Sequence, residues 1–154
     1  MRWWMLTLTA LIASCGPPPP PPPAVVTLQI DAGADQNPNR AGQAAPVAIH
    51  ILQLTTPAKF ERADVFAILE REAATLGDEL AASETVTVAP GESKTLVRTM
   101  KPGVQALGVA VAFRDIDKAT WRAVAPVGPS GPIALQVRTT GIVADLKPKP
   151  VSKP

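Results

Sequence analysis

Seven consecutive prolines, Pro17–Pro23, divide the chain into two parts that fold by different rules. Proline has no backbone N–H and a fixed φ, so the run can join neither a helix nor a sheet ladder. As a polyproline II rod of about 3.1 Å per residue, it would extend about 22 Å and act as a semi-rigid spacer. Whatever folds must therefore begin after it, at Ala24. The only cysteine, Cys15, lies before the run. No intramolecular disulfide is possible, and the folded part has to stand on its hydrophobic core.

Ahead of the prolines, Met1 and Arg2 give a minimal positive start, and Trp3 to Ala13 is uncharged and mostly apolar. As a helix this segment would span about 16 Å, half of what a bilayer core of about 30 Å requires. It reads as the apolar region of a signal peptide rather than a membrane span. The run Ile12-Ala13-Ser14-Cys15 resembles a lipobox, the site at which a bacterial lipoprotein is lipidated and cut. An ordinary signal peptide with an incidental cysteine is the plainer account, but an odd cysteine in an exported chain calls for a role, and lipidation supplies one. The expectation is that residues 1–14 are removed, that Cys15 becomes the lipidated first residue, and that residues 15–23 form an anchor and spacer. One acyl chain binds a membrane only marginally, whereas three bind durably. Gly16 stands where an aspartate would retain a lipoprotein in the inner membrane, which favours the outer membrane.

After the prolines, period-two patterns dominate. Ala24 to Ile30 places Val26, Leu28 and Ile30 on one face of a strand. Asp31 to Ala45 is polar and long for a loop inside a compact domain, which marks it as functional or mobile. Pro46 to Leu54 is a second strand with apolar residues on both faces, so both should be covered. From Thr56-Pro57, the pattern of an N-cap and a first-turn proline, the period changes to that of a helix over about residues 57–80. Gly77 and Asp78 end or interrupt it, and Asp64 offers a second cap within it. Strands return at Glu84–Ala89, Ser93–Met100, Val104–Arg114, Thr120–Val127 and, once or twice, in Ile133–Leu146. Turns such as Pro90-Gly91 separate them. Lys147 to Pro154 reads as a disordered basic tail. About eight short strands with one helical insertion after the second predict a mainly β protein, a β-sandwich spanning residues 24–146.

Chemistry-bearing motifs are sparse. The chain has one histidine and one cysteine, and neither a zinc nor a phosphate-loop pattern. His50 has apolar neighbours, and Ser83, Ser93 and Ser130 lack a nucleophile-elbow setting, so catalysis is not expected. Asp31, Asp35 and Asn37 lack the spacing of a calcium loop and read as turn chemistry, with no metal or cofactor expected. Arg114, Asp115 and Arg122 form a charge cluster near Trp121, read as a solvated turn with one ion pair. The formal charge of +2 falls to +1 once Arg2 leaves, and no basic, aromatic-interleaved stripe appears, which argues against nucleic-acid binding. What remains is an anchored domain with a long polar loop, suited to binding or assembly.

An ordered set of segments resembles a known family. Asn37-Pro38-Asn39 comes first, then the strand from Pro46-Val47 to Gln53-Leu54. Phe60, Ala63-Asp64 and Leu69 follow, then Val88-Ala89-Pro90-Gly91, Val109 to Asp115, and Trp121-Arg122. Together with the lipobox, this set, spanning Leu28 to Val127, is similar to the TssJ (SciN) family of outer-membrane lipoproteins of the type VI secretion system. The resemblance implies a transthyretin-like β-sandwich with an added helical element. It also implies that the chain is not an enzyme and that its partner is the periplasmic C-terminal domain of the inner-membrane protein TssM, in complex with TssL. The implied contact is the loop Ala32 to Ala45, with Asp35, Asn37, Pro38, Asn39 and Arg40 as contributors. Excision of Asn37 to Arg40 is then expected to weaken binding and leave the thermal transition nearly intact. The alternative is a transthyretin-like envelope lipoprotein binding a small ligand or glycan in a pocket near His50 or Trp121.

Overall fold

The computed structural model describes residues 20–149. The expected signal segment, the lipobox with Cys15, and Pro150–Pro154 lie outside the described residues. Pro20–Pro23 are exposed and outside any helix or strand. Eight strands follow, β1 (Ala24–Ala32), β2 (Val47–Leu54), β3 (Leu80–Val88), β4 (Ser93–Thr99), β5 (Ala106–Val111), β6 (Arg122–Pro126), β7 (Gly131–Thr140) and β8 (Val143–Pro148). Two helices, α1 (Ala58–Arg62) and α2 (Val65–Leu76), separate β2 from β3. The strands form two four-stranded sheets, ordered β4-β1-β7-β8 and β3-β2-β5-β6. All pairs are antiparallel except β1 with β7, a parallel pair joining the first strand to the seventh. The β-sandwich with a helical insertion after the second strand is thus the observed fold.

Alternation fixes the sandwich. Ala24, Val26, Leu28, Ile30 and Ala32 are all buried, on the inner face of β1. They meet Val47, Ile49 and Ile51 of β2 and Leu107, Val109 and Val111 of β5 in the main core. The opposite faces of β2 and β5 are covered as well. Leu52, Leu54, Ala106 and Ala110 pack with Phe60, Ile68 and Leu76 in a second core under the helices. β5 carries small residues on this side, and Gly108 is the critical one. A Cβ there would lie 3.0 Å from Leu54 Cδ1 and 3.1 Å from Phe60 Cε1. Its absence lets the Phe60 ring settle directly on the sheet.

The helical insertion departs from one continuous helix. Asp64 caps α2 by accepting from the backbone N–H groups of Phe66 and Ala67, each at 3.0 Å. The chain kinks at Arg71, and a short 3-10 turn at Gly77–Glu79 ends the insertion. Thr56 does not cap α1, because Pro57 occupies that position and makes no side-chain cap. A carboxylate from further along the chain replaces it: Lys59 N–H donates to Glu79 Oε2 at 2.7 Å. Leu80 therefore belongs to β3, which begins four residues before the expected Glu84. At the other end, Lys147 and Pro148 are in β8, and Lys149 N–H donates to Ala134 O, so the sheet extends into the expected tail. β7 and β8 are two full strands because Gly141, at φ 54°, turns the chain between them.

On the outer face of β1, Asp31 ties three strands together. Its carboxylate accepts from Gln29 Nε2 (3.0 Å), Ser93 Oγ of β4 (2.8 Å) and Gln136 Nε2 of β7. The Gln136 bond is the largest influence on its pKa; burial opposes it, and the bonds from Gln29 and Ser93 with the charge of Arg138 leave the net value below the ordinary carboxylate one. A depressed folded pKa contributes stability that is present above the unfolded value and lost as pH falls through the folded one. Asp31→Asn is therefore expected to flatten the loss of stability below about pH 4, measured by urea unfolding across that range. Identical acid profiles for the two proteins would remove Asp31 from the acid response.

Candidate partner-docking site

The strand directions sort the connections into two poles. β1 enters at Ala24, just after Pro20–Pro23, and leaves at Ala32 on the opposite pole, about 26 Å away at about 3.3 Å per residue. That far pole collects the β1–β2 loop (residues 33–46), the β3–β4 turn, the β5–β6 connection and the β7–β8 turn, as the strand registers require. The long polar loop thus sits as far from the prolines as the sandwich allows.

The loop is framed from within. Gly33 N–H donates to Thr139 O at 2.7 Å, and a Cβ on Gly33 would fall 2.5 Å from that oxygen, so only glycine permits the approach. Gln36 is fully buried. Its Nε2 donates to Val88 O (3.0 Å) and Ala45 O (3.4 Å), and its Oε1 accepts from Thr139 Oγ1. One side chain thereby fastens the loop to both sheets. Asn37, 3 % exposed, sits at φ 48°, a left-handed conformation that asparagine tolerates better than most residues. Its Nδ2 donates to Pro46 O at 2.8 Å, its Oδ1 accepts from Arg114 N–H at 2.8 Å, and its own N–H donates to Gly141 O at 2.7 Å. Asn39 closes the tip, with Oδ1 accepting from the N–H groups of Ala41 and Gln43, both at 2.9 Å.

The five residues singled out from sequence therefore divide. Asn37 is internal and Asn39 spends its side chain on its own turn, so both build the loop. Asp35 and Arg40 are exposed, and Pro38 lies between. Excision of Asn37 to Arg40 would break the frame as well as the surface, which overturns the expectation of an intact thermal transition. Gln36 escaped the sequence reading because two of its three partners, Val88 O and Thr139 Oγ1, lie far along the chain. The second wall of the site was seen only in part: Arg114 and Asp115 stood out as a charge cluster, but the structure sets them with Lys118 facing Pro38, Asn39, Arg40 and Ala41 across an open groove.

The charge cluster near Trp121 is also resolved differently. Asp115 pairs with Lys118 at 3.2 Å. Arg122 instead donates to Phe60 O (3.0 Å) and Ala63 O (2.7 Å), with its guanidinium 4.8 Å above the Trp121 ring. Phe60 meets the same ring edge-on, at 6.4 Å and 75°. His50 lies under α2, its Nδ1 3.5 Å from Glu72 Oε2, and Glu72 also accepts from Ser83 Oγ. The surroundings of both residues named by the small-ligand alternative are thus occupied by the protein's own side chains. The inter-sheet cavity lined by Val26, Leu28, Ile51 and Met100 lies elsewhere, beside the Arg98–Glu84 ion pair.

Residues 24–141 match the type VI secretion lipoprotein family (T6SS-SciN), the family of VasD, EvfM and TssJ. The chain belongs to this family. Among solved structures it is similar to the type VI secretion lipoprotein TssJ1 from Pseudomonas aeruginosa, at 32 % identity and TM-score 0.81, over 84 % of this chain and 99 % of that one. It is similar at 27 % identity and TM-score 0.69 to a chain of a type VI membrane complex, over 80 % of this chain and 98 % of that one. A chain of the structure described as the TssM C-terminal domain from EAEC matches at 26 % identity and TM-score 0.67, over 81 % and 98 %. No curated protein matches. Membership in this family makes the chain a type VI secretion lipoprotein, and the sandwich agrees with that of TssJ1.

Proposed function

We propose that this TssJ-family protein is a non-enzymatic assembly lipoprotein that ties the periplasmic C-terminal domain of TssM to the outer membrane. In this reading Cys15 carries the lipid and Pro17–Pro23 hold the domain off the bilayer. The sandwich then presents the pole bearing Asp35, Pro38 and Arg40 to the periplasm. The observation that carries it is polarity. The prolines enter at one pole, and the braced loop and groove lie at the other, so a membrane tether and a docked partner would not compete for space. The likeness to chains in a type VI membrane complex and in a TssM C-terminal domain structure supports the choice of partner.

Two measurements test it. The chain from Gly16 to Pro154, which keeps every strand and helix, is expected to bind the TssM periplasmic C-terminal domain of the same secretion system saturably. No association at high micromolar concentration would sink the proposal. A shorter form starting at Gln29 is unsuitable, since it removes half of β1. In cells, a clickable fatty acid is expected to label the wild type and not Cys15→Ser. Equal labelling would rule out Cys15 as the anchor.

A further inference from the structure

We propose that the groove at the loop pole receives an acidic segment of the partner polypeptide, gripped by the guanidinium groups of Arg40 and Arg114. This rests on the docking reading above and adds the chemistry of what docks. The two arginines come from different loops, Arg40 from the β1–β2 loop and Arg114 from the β5–β6 connection, and both line the groove. Their backbones are held in fixed relation. Arg114 N–H donates to Asn37 Oδ1 at 2.8 Å, and Arg40 lies within the turn that Asn39 closes. The site is preformed in its main chain and adjustable only in its side chains, which lowers the ordering cost of binding.

Among the described residues, neither guanidinium has an ion-pair partner or a side-chain hydrogen bond. Arg98 and Arg122, by contrast, are committed to Glu84 and to two carbonyls. The third cation of the groove, Lys118, is already matched by Asp115. The uncompensated charge is therefore that of two planar forks, each shaped to take a carboxylate through two N–H donors. The Asp115–Lys118 pair leaves that side of the groove without net charge, so the attraction for an acidic ligand is concentrated at Arg40 and Arg114. Anionic lipid shares the chemistry, but the groove lies at the pole away from the entering prolines, which favours a polypeptide.

The test is titration of the Gly16–Pro154 protein and its R40E/R114E variant against the TssM periplasmic C-terminal domain, with thermal melts of both. Like-charge replacement is expected to weaken binding about 100-fold or more while the melting midpoint stays within a few degrees. Wild-type affinity is expected to fall about tenfold between about 50 mM and about 500 mM salt. R40K/R114K, which keeps the charge and loses the fork, is expected to fall between, and K101E at the other pole to bind like wild type. If wild type and R40E/R114E bind equally, or the interaction ignores salt, the acidic-segment inference fails while the docking reading stands. If the wild type does not bind at all, both fail. Charge-dependent binding to phosphatidylglycerol vesicles, with TssM binding unchanged in R40E/R114E, would overturn the inference in favour of lipid.

Discussion

Gln36→Ala is expected to lower the stability of the domain by about 3–4 kcal/mol, since a buried polar group left unpaired costs about 1–3 kcal/mol. The substitution strands the carbonyls of Val88 and Ala45 and the hydroxyl of Thr139 in a site with no exposure, and leaves a cavity beside them. For a domain of this size the melting midpoint would fall by about 10–15 °C. Gln36→Met separates the causes. It fills most of the space and satisfies none of the partners, so it should remain nearly as unstable as alanine if hydrogen bonding dominates. Hydrogen exchange should quicken first in residues 33–46 and at Thr139. A Gln36→Ala protein within about 1 kcal/mol of wild type, measured by urea unfolding, would show that the loop is held by something else.

Phe60→Ala is expected to cost about 3–5 kcal/mol, the range for emptying a buried aromatic site. Its ring is fully buried, rests on Gly108 and Leu54, and meets Trp121 edge-on. α1 has five residues, far too short to be stable alone, so the ring is what holds it to the sheet. Its loss should also loosen Arg122, whose bonds reach the carbonyls of Phe60 and Ala63. The distinguishing sign is spatial. Exchange protection should collapse over residues 58–79 while β1 and β7 stay protected, because the main core lies between the sheets and not under the helices. Uniform loss of protection would mean that the two cores unfold as one. Gly108→Val attacks the same contact from the sheet side, by crowding rather than emptying it, for about 1–3 kcal/mol.

The strands were legible because each either alternates or, like β5, runs apolar throughout, patterns that need no knowledge of partners. Val26, Leu28 and Ile30 share a face in the sequence and in the core. Asp64 and Gly77 were legible because capping and helix termination act within a few residues. What local pattern cannot carry is a bond to a distant segment. Glu79 replaces Thr56 at the start of α1 from twenty residues away, so the sequence pointed to the wrong cap. Gln36 and Asn37 look like polar loop residues, yet their partners at Val88, Thr139 and Arg114 make them interior ones. The candidate site was half visible for the same reason. The β1–β2 loop announced itself by length and polarity, but the wall that Arg114, Asp115 and Lys118 supply exists only once β5 lies beside β2. The family resemblance reached the loop because it rests on the order of many segments rather than on any one of them.

The position of β1 within its sheet bears on how the protein would carry load. β1 is an inner strand, with β4 on one side and β7 on the other, and its first residue follows the prolines directly. Its ladder bonds to β4 run across the strand axis. A force drawn through the prolines against a partner held at the far pole would act along that axis, in shear. Load held by the β1–β2 loop would pass straight along the β1 backbone, while load held by Arg114 and the β5–β6 connection would have to break every rung on both flanks of β1 nearly together, instead of one after another as in peeling an edge strand. A tether attached in this way suits a component that has to stay seated while a machine pulls against the envelope.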